Sequence, residues 1–275
     1  MSQYLIGDIH GCYKEFCSLL KLIKFNVKKD ILWISGDFVG RGPNSLKVLR
    51  LIYKLRKNIF VVLGNHEINL LLSYTHIKKA RIDQQLMQII NAPDANNLIQ
   101  WLRHQPILKI HEKYKLIMVH AGIIPIWNLY SLLNNAQEIE KNLKKKQYKS
   151  FLRSIYKNSH IPNNIWHNNL SKNSRLQLSI NIFTRIRYCL SESIIDMHHK
   201  IEPKKAPSFI KPWFTFHNPI FSEYNIIFGH WSSLGDYPTP KNIYGLDTGC
   251  CWGGQLTALQ WDNKKFFKVN SVNNY

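Results

Sequence analysis

One local pattern recurs along this chain and limits the folds open to it: a short apolar run that ends in a glycine and then in residues with ligand-type side chains. Tyr4-Leu5-Ile6 runs into Gly7-Asp8-Ile9-His10, Ile31-Leu32-Trp33-Ile34 reaches Gly36-Asp37, and Phe60-Val61-Val62-Leu63 reaches Gly64-Asn65-His66-Glu67. Uninterrupted apolar runs of this length suit strands buried on both faces. Helical stretches lie between them. Tyr13 to Lys24 places Phe16, Leu19, Leu20 and Ile23 on one face, and Asn44-Ser45 can cap a helix through Leu46, Leu49, Ile52 and Leu55. The order predicts β-α-β-α-β, a sheet covered by helices. In such sheets a ligand site lies outside the carboxyl ends of the strands, where these polar tips converge.

The pattern returns later. Lys115 to Val119 is a fourth run, ending in His120-Ala121-Gly122, and Tyr224 to Phe228 ends in Gly229-His230-Trp231. Asn242 to Leu246 ends in Asp247, and Gly254 to Leu259 is read as the closing strand. Residues 126–220 break the rhythm, with helix-like segments near 127–146 and 148–157 and then a polar stretch bearing Asn and Pro. The expected organisation is therefore a core of residues 1–125 and 221–275 and a cap, 126–220, that contributes to substrate binding.

The strand tips together offer Asp8, His10, Asp37, Asn65, His66, His120 and His230. Imidazole mixed with carboxylate suits Mn, Fe, Co or Zn better than Ca or Mg. The ligands are too many for one open catalytic metal and about right for two. A carboxylate such as Asp37 can bridge ions ~3.5–4 Å apart, which acidify a shared water and clamp the oxygens of an in-line displacement at phosphorus. Taken singly, a histidine after a strand is an ordinary structural residue, and an aspartate there is an ordinary turn residue. The repetition carries the argument. His76, His104, His111, His160, His167, His198, His199 and His217 lie outside the pattern and are read as structural or surface groups.

Gly7-Asp8-Ile9-His10-Gly11, Gly36-Asp37-Phe38-Val39-Gly40-Arg41-Gly42 and Gly64-Asn65-His66-Glu67 resemble, in that order, the signature blocks of the phosphoprotein-phosphatase-type metallophosphoesterases. The resemblance implies an α/β fold, a calcineurin-like β-sandwich flanked by helices, here with a largely helical cap insertion. It also implies that Asp8, His10 and Asp37 hold one metal and that Asp37, Asn65, His120 and His230 hold the other. His66 would be the general acid, and Arg41 would grip phosphate oxygens. Protein Ser/Thr phosphatases carry an Asp before that Arg to orient the histidine; this chain has Gly40, which leaves Glu67 or a group elsewhere for the task.

Gly42-Pro43-Asn44-Ser45-Leu46, Phe183 to Cys189, Lys211-Pro212-Trp213-Phe214, Phe228-Gly229-His230-Trp231 and Leu246 to Gly254 are similar to the bacterial symmetrical bis(5'-nucleosyl)-tetraphosphatases, from Tyr4 to about Val269. The resemblance implies hydrolysis of diadenosine tetraphosphate to two ADP by a hydroxide activated between two divalent ions, with Mn or Co as the expected metals. RNA bearing a nucleoside-tetraphosphate cap is implied as a secondary substrate. Arg185, Arg187 and Asp247 would join Arg41 in binding substrate, and Trp213, Trp231 or Tyr188 could stack adenine. Arg185 and Arg187 can serve one ligand from the same side only on extended backbone. A phosphoprotein phosphatase on the same metal core is the alternative.

Lys+Arg 37 against Asp+Glu 17 gives a net charge of +20, which first suggests a nucleic-acid partner. Yet residues 221–275 carry 4 basic and 4 acidic residues and supply His230 and Asp247. Lys141 to Lys149 reads as a solvated helix face. Lys, Asn and Ile share AT-rich codons, so base composition accounts for part of the surplus. No obligate nucleic acid is expected. Cys12, Cys17, Cys189, Cys250 and Cys251 are odd in number and match no zinc ribbon, so reduced thiols are expected. The absence of a membrane-length apolar run or a leader-like start predicts a cytoplasmic protein with no membrane partner.

Overall fold

The computed structural model describes residues 2–77, 83–156 and 164–272; His160 and the end of the segment expected near 148–157 lie outside them. The chain opens with β1 (Gln3–Ile6), α1 (Tyr13–Leu22), β2 (Ile31–Ile34), α2 (Ser45–Lys54), β3 (Ile59–Val61) and α3 (Asn65–Tyr74). Helices α4 (Gln84–Ile90) and α5 (Ala95–Leu102) follow, then β4 (Leu108–His111) and β5 (Leu116–Val119). Next come α6 (Leu129–Lys144), α7 (Tyr148–Tyr156), α8 (Lys172–Arg185), β6 (Tyr188–Ser191), β7 (Ile194–Asp196) and β8 (Lys211–Pro212). The chain closes with α9 (Pro219–Glu223), β9 (Asn225–Phe228), β10 (Ile243–Gly245), β11 (Gln255–Gln260) and β12 (Lys265–Asn270).

Two compact units result, Met1–Gln105 with Leu246–Tyr275, and Pro106–Gly245. The first is built on a five-stranded sheet of order β12-β11-β1-β2-β3. β1, β2 and β3 run parallel, while β11 is antiparallel to both β1 and β12. β1 is buried along its whole length, as its apolar run requires. β12 forms an edge, where Lys265 and Lys268 oppose further pairing. β11 is therefore not the last strand, as the sequence suggested. In α1, Phe16 and Leu19 face inward, and in α2 Val48, Leu49 and Ile52 do so at helical spacing. Asn44 does not cap α2 through its side chain. Ser45, the first residue of α2, ties the helix to the preceding loop instead, its Oγ accepting the Gly40 N–H at 2.9 Å.

The second unit holds a four-stranded sheet of order β10-β9-β5-β4 and a three-stranded sheet of order β7-β6-β8. β10, β9 and β5 run parallel, and β4 pairs antiparallel with β5. Within the expected cap, α6 and α7 lie where helices were anticipated. The polar stretch beyond them is not irregular, however: it contains α8 and the antiparallel trio β6, β7 and β8. Ser171 starts α8, accepting the Ser174 N–H at 3.3 Å. No helix among the described residues is long and apolar enough to cross a membrane.

Candidate active site

In the first unit, β1, β2 and β3 are parallel and adjacent, so Asp8, Asp37 and Asn65-His66 leave neighbouring strands at the same sheet end. All four are buried, Asp8 to 3% exposure and Asp37 to 2%. His10 Nδ1 lies 3.4 Å from the Val39 carbonyl. A carbonyl only accepts, so Nδ1 carries the proton and Nε2 offers a lone pair. That Nε2 is 3.6 Å from Asp8 Oδ2 and 3.8 Å from Asp37 Oδ2. Ligand atoms of His10, Asp37 and His66 lie within 4.8 Å of one another. Two buried carboxylates around imidazole lone pairs need a cation to offset their charge, and this N/O donor set fits a divalent transition metal.

The loops that hold these ligands are strained. His10, Asp37 and Arg41 have φ of 47°, 45° and 65°, in the left-handed region that L-residues avoid. Such strain persists only where surrounding contacts over-determine it. For Asp37 those contacts are visible. The Glu67 carboxylate, fully buried, accepts the N–H groups of Asp37 (2.8 Å), Phe38 (3.0 Å), Val39 (3.2 Å) and Gly64 (2.9 Å). The Gly64 bond makes Glu67 the reaching half of a capping box on α3. Asp37 Oδ1 in turn accepts the His66 N–H at 2.8 Å, at the positive end of that helix. Gly64 must lack a side chain, because a Cβ there would lie 2.2 Å from Asp37 Oδ1. Glu67 therefore fixes the loop. The sequence reading, which considered it as the partner of the His66 ring, missed that role.

The His66 ring packs closely against its neighbours. Its centroid is 4.8 Å from that of His10, edge to face. A Cβ on Gly40, at φ +85°, would lie 2.0 Å from His66 Nδ1. The ring thus occupies the space where a side chain at residue 40 would begin.

Arg41 is exposed, with its N–H 3.3 Å from Asp83 Oδ2 and its guanidinium carbon 5.1 Å from the centroid of the Trp252 ring. Asp247 is half-buried, and its Oδ1 accepts the Gly249 N–H at 3.0 Å. The cysteines are all free thiols. Contact with Cys250, followed by burial, pushes the Cys12 thiol up, and burial does the same to Cys251, helped by the charges of Asp247 and Asp8. Neither is a nucleophile at neutral pH.

In the second unit, His120 and His230 follow the parallel neighbours β5 and β9, and their rings lie 5.0 Å apart. His230, at φ 64°, donates from Nε2 to the Arg185 carbonyl at 3.1 Å, which assigns the lone pair to Nδ1. Arg187 donates from Nη2 to the His230 carbonyl at 3.0 Å. Arg185 is the last residue of α8, and the extended residue Ile186 separates it from half-buried Arg187, so the extended backbone expected there begins only after Arg185. Tyr188, Trp213 and Trp231 are at most 1% exposed. Tyr188 stacks edgewise on Trp231 at 4.8 Å, and Trp213 on Phe228 at 5.5 Å. These aromatics are core and are not open to stack adenine. His199 Nδ1 is 3.1 Å from Asp196 Oδ1, a local contact for a histidine outside the pattern.

The calcineurin-like phosphoesterase family matches residues 1–231, so the chain is a metallophosphoesterase of that class. Finer likeness follows. The "Bis(5'-nucleosyl)-tetraphosphatase, symmetrical" of Wigglesworthia glossinidia brevipalpis is 61% identical over 271 residues, 98% of this chain and 100% of that protein. The protein of the same name from Baumannia cicadellinicola is 50% identical over 271 residues, 98% of this chain and 93% of that one. A crystal structure described as a candidate diadenosine tetraphosphatase superposes with a TM-score of 0.66 at 20% identity, covering 99% of this chain and 94% of the other. This last match bears on fold alone. The chain belongs to the symmetrical bis(5'-nucleosyl)-tetraphosphatases.

Proposed function

We propose that this protein is a hydrolase that splits diadenosine tetraphosphate into two molecules of ADP. The observation that carries the reading is the His10 lone pair set between the Asp8 and Asp37 carboxylates, in a chain 61% identical to a named symmetrical tetraphosphatase. Asp8, His10 and Asp37 are assigned to one divalent ion, and Asp37, Asn65, His120 and His230 to the other, with Mn or Co as the metals. When bound, such ions place charge on phosphate oxygens and make a water acidic enough to react at neutral pH. Arg41, whose planar fork matches phosphate oxygens, steadies the charge that develops on the attacked phosphorus. His66 holds the proton for the departing ADP oxygen. Arg185, Arg187 and Asp247 are assigned to the rest of the substrate, and residues 126–220 to setting which phosphorus is attacked. RNA carrying a nucleoside-tetraphosphate cap presents the same anhydride and is a second substrate class. The proposed location is the cytoplasm.

The alternative, a phosphoprotein phosphatase, relies on an Asp at residue 40 to orient the histidine. The 2.0 Å approach of a Gly40 Cβ to His66 Nδ1 speaks against it. Product analysis with purified protein, Mn and diadenosine tetraphosphate tests the proposal. ADP as sole product is expected. AMP with ATP, or faster release from a phosphopeptide, overturns it.

A further inference from the structure

Trp252 is out of place by the ordinary rules of burial. The other tryptophans are buried or half-buried, while Trp252 is 54% exposed. It sits between β10 and β11 in a turn of fixed shape. Its own N–H bonds the Gly249 carbonyl at 2.8 Å, Gly254 N–H bonds the same carbonyl at 3.0 Å, and Gln255 N–H bonds Thr248 O at 3.0 Å. Gly249 and Gly253 take φ of +73° and +83°, which a glycine adopts without strain. Gly254 has no room for a side chain, since a Cβ there would lie 2.3 Å from the Thr248 carbonyl. The preceding residues, Cys250 and Cys251, anchor the turn at 2% and 1% exposure. A turn that buries two small thiols and holds the largest apolar side chain in solvent is not minimising exposed apolar surface.

The neighbour of this indole is Arg41. The guanidinium carbon is 5.1 Å from the ring centroid, and the Arg41 backbone is tied to Asp83. A nucleoside 5'-phosphate presents a flat π-face and, one ribose away, an anionic oxygen cluster. An indole 54% exposed with an arginine over its ring offers both complements, π-surface for stacking the base and a planar fork for the phosphate.

We infer that Trp252 is the platform on which the base of one nucleoside diphosphate half of the substrate stacks, while Arg41 holds the phosphates of that half. The inference rests on the proposed function for the identity of the substrate and adds a base-recognition residue to it. Stacking reads a π-face and not a hydrogen-bonding edge, so this contact favours purines by ring area and tolerates any base.

Equilibrium binding of ADP and of pyrophosphate to the metal-loaded protein tests the inference without turnover. Trp252→Ala is expected to weaken ADP on the order of tenfold or more and to leave pyrophosphate within about twofold. Trp252→Phe, which keeps a π-face, is expected to recover most of the ADP affinity. Unchanged ADP affinity in Trp252→Ala overturns the inference. So does an equal loss for both ligands, which would mean that the indole only holds Arg41 in place. These outcomes are independent of whether the enzyme releases ADP from diadenosine tetraphosphate, so the two proposals fail separately.

Discussion

Replacing Glu67 with Gln keeps the side-chain shape and removes its charge and one acceptor. Each carboxylate oxygen serves two N–H groups. Oε2 takes those of Asp37 and Gly64, and Oε1 those of Phe38 and Val39. In the variant one oxygen becomes an NH2 group facing two donors. Two buried charge-assisted bonds are lost and two become neutral. At about 1.5–3 kcal/mol for a bond to a charged group, and with buried N–H groups left without an acceptor, the loss is about 3–5 kcal/mol. That is a large part of the ~5–15 kcal/mol that holds a typical domain folded. Urea unfolding, followed by far-UV circular dichroism, is expected to show a midpoint about 1–2 M lower for the variant. Because the same N–H groups keep Asp37 at φ 45°, Mn affinity by isothermal titration is expected to fall as well. A stability loss below about 1 kcal/mol with unchanged Mn affinity would refute the assignment of Glu67 as the clamp of the Asp37 loop.

Gly40→Ala adds a methyl group where His66 Nδ1 stands 2.0 Å away. A displacement of that order predicts a fall in kcat of about 100-fold at equal metal content, and retention of turnover within about threefold would contradict the placement of the ring. His66→Asn is expected to remove most turnover while bound metal, measured by atomic emission, changes little. Lys144, Lys145 and Lys146 are exposed, so their joint replacement by Gln is expected to leave kcat/KM within about twofold at moderate salt; a large loss would restore long-range charge as a determinant. The Arg50 side chain bonds Asp94 at 2.6 Å and holds its carboxyl below the ordinary value. A depressed carboxyl stabilises the fold above its unfolded pKa and loses that effect as pH falls through the folded one. This pair is solvent-exposed, so Asp94→Asn is expected to cost under about 1 kcal/mol at pH 7, with the difference vanishing in acid, as read by thermal melts across pH.

The strand tips were legible from the sequence because buried parallel strands leave continuous apolar runs, and a ligand loop must leave such a strand sharply. Which strands share a sheet was not. Leu116 to Val119 and Ile31 to Ile34 are equally apolar, yet one belongs to the four-stranded sheet and the other to the five-stranded sheet. Apolarity reports burial and carries no address for the partner. Helix α8 was hidden for a different reason. Leu176, Leu178, Ile180 and Ile182 alternate at the period of a strand, and the helix they form is buried on most of its surface, Ser179, Asn181 and Thr184 included. No amphipathic stripe remains to be read. Gly40 shows the limit most clearly. In sequence it registers as a missing Asp and leaves the orienting of His66 to Glu67 or a group elsewhere. In the fold the absent side chain is the space that the His66 ring fills, with His10 against its edge. A motif comparison scores residue types one position at a time. It therefore records a missing residue type and not the close approach of the His66 ring to the backbone at residue 40.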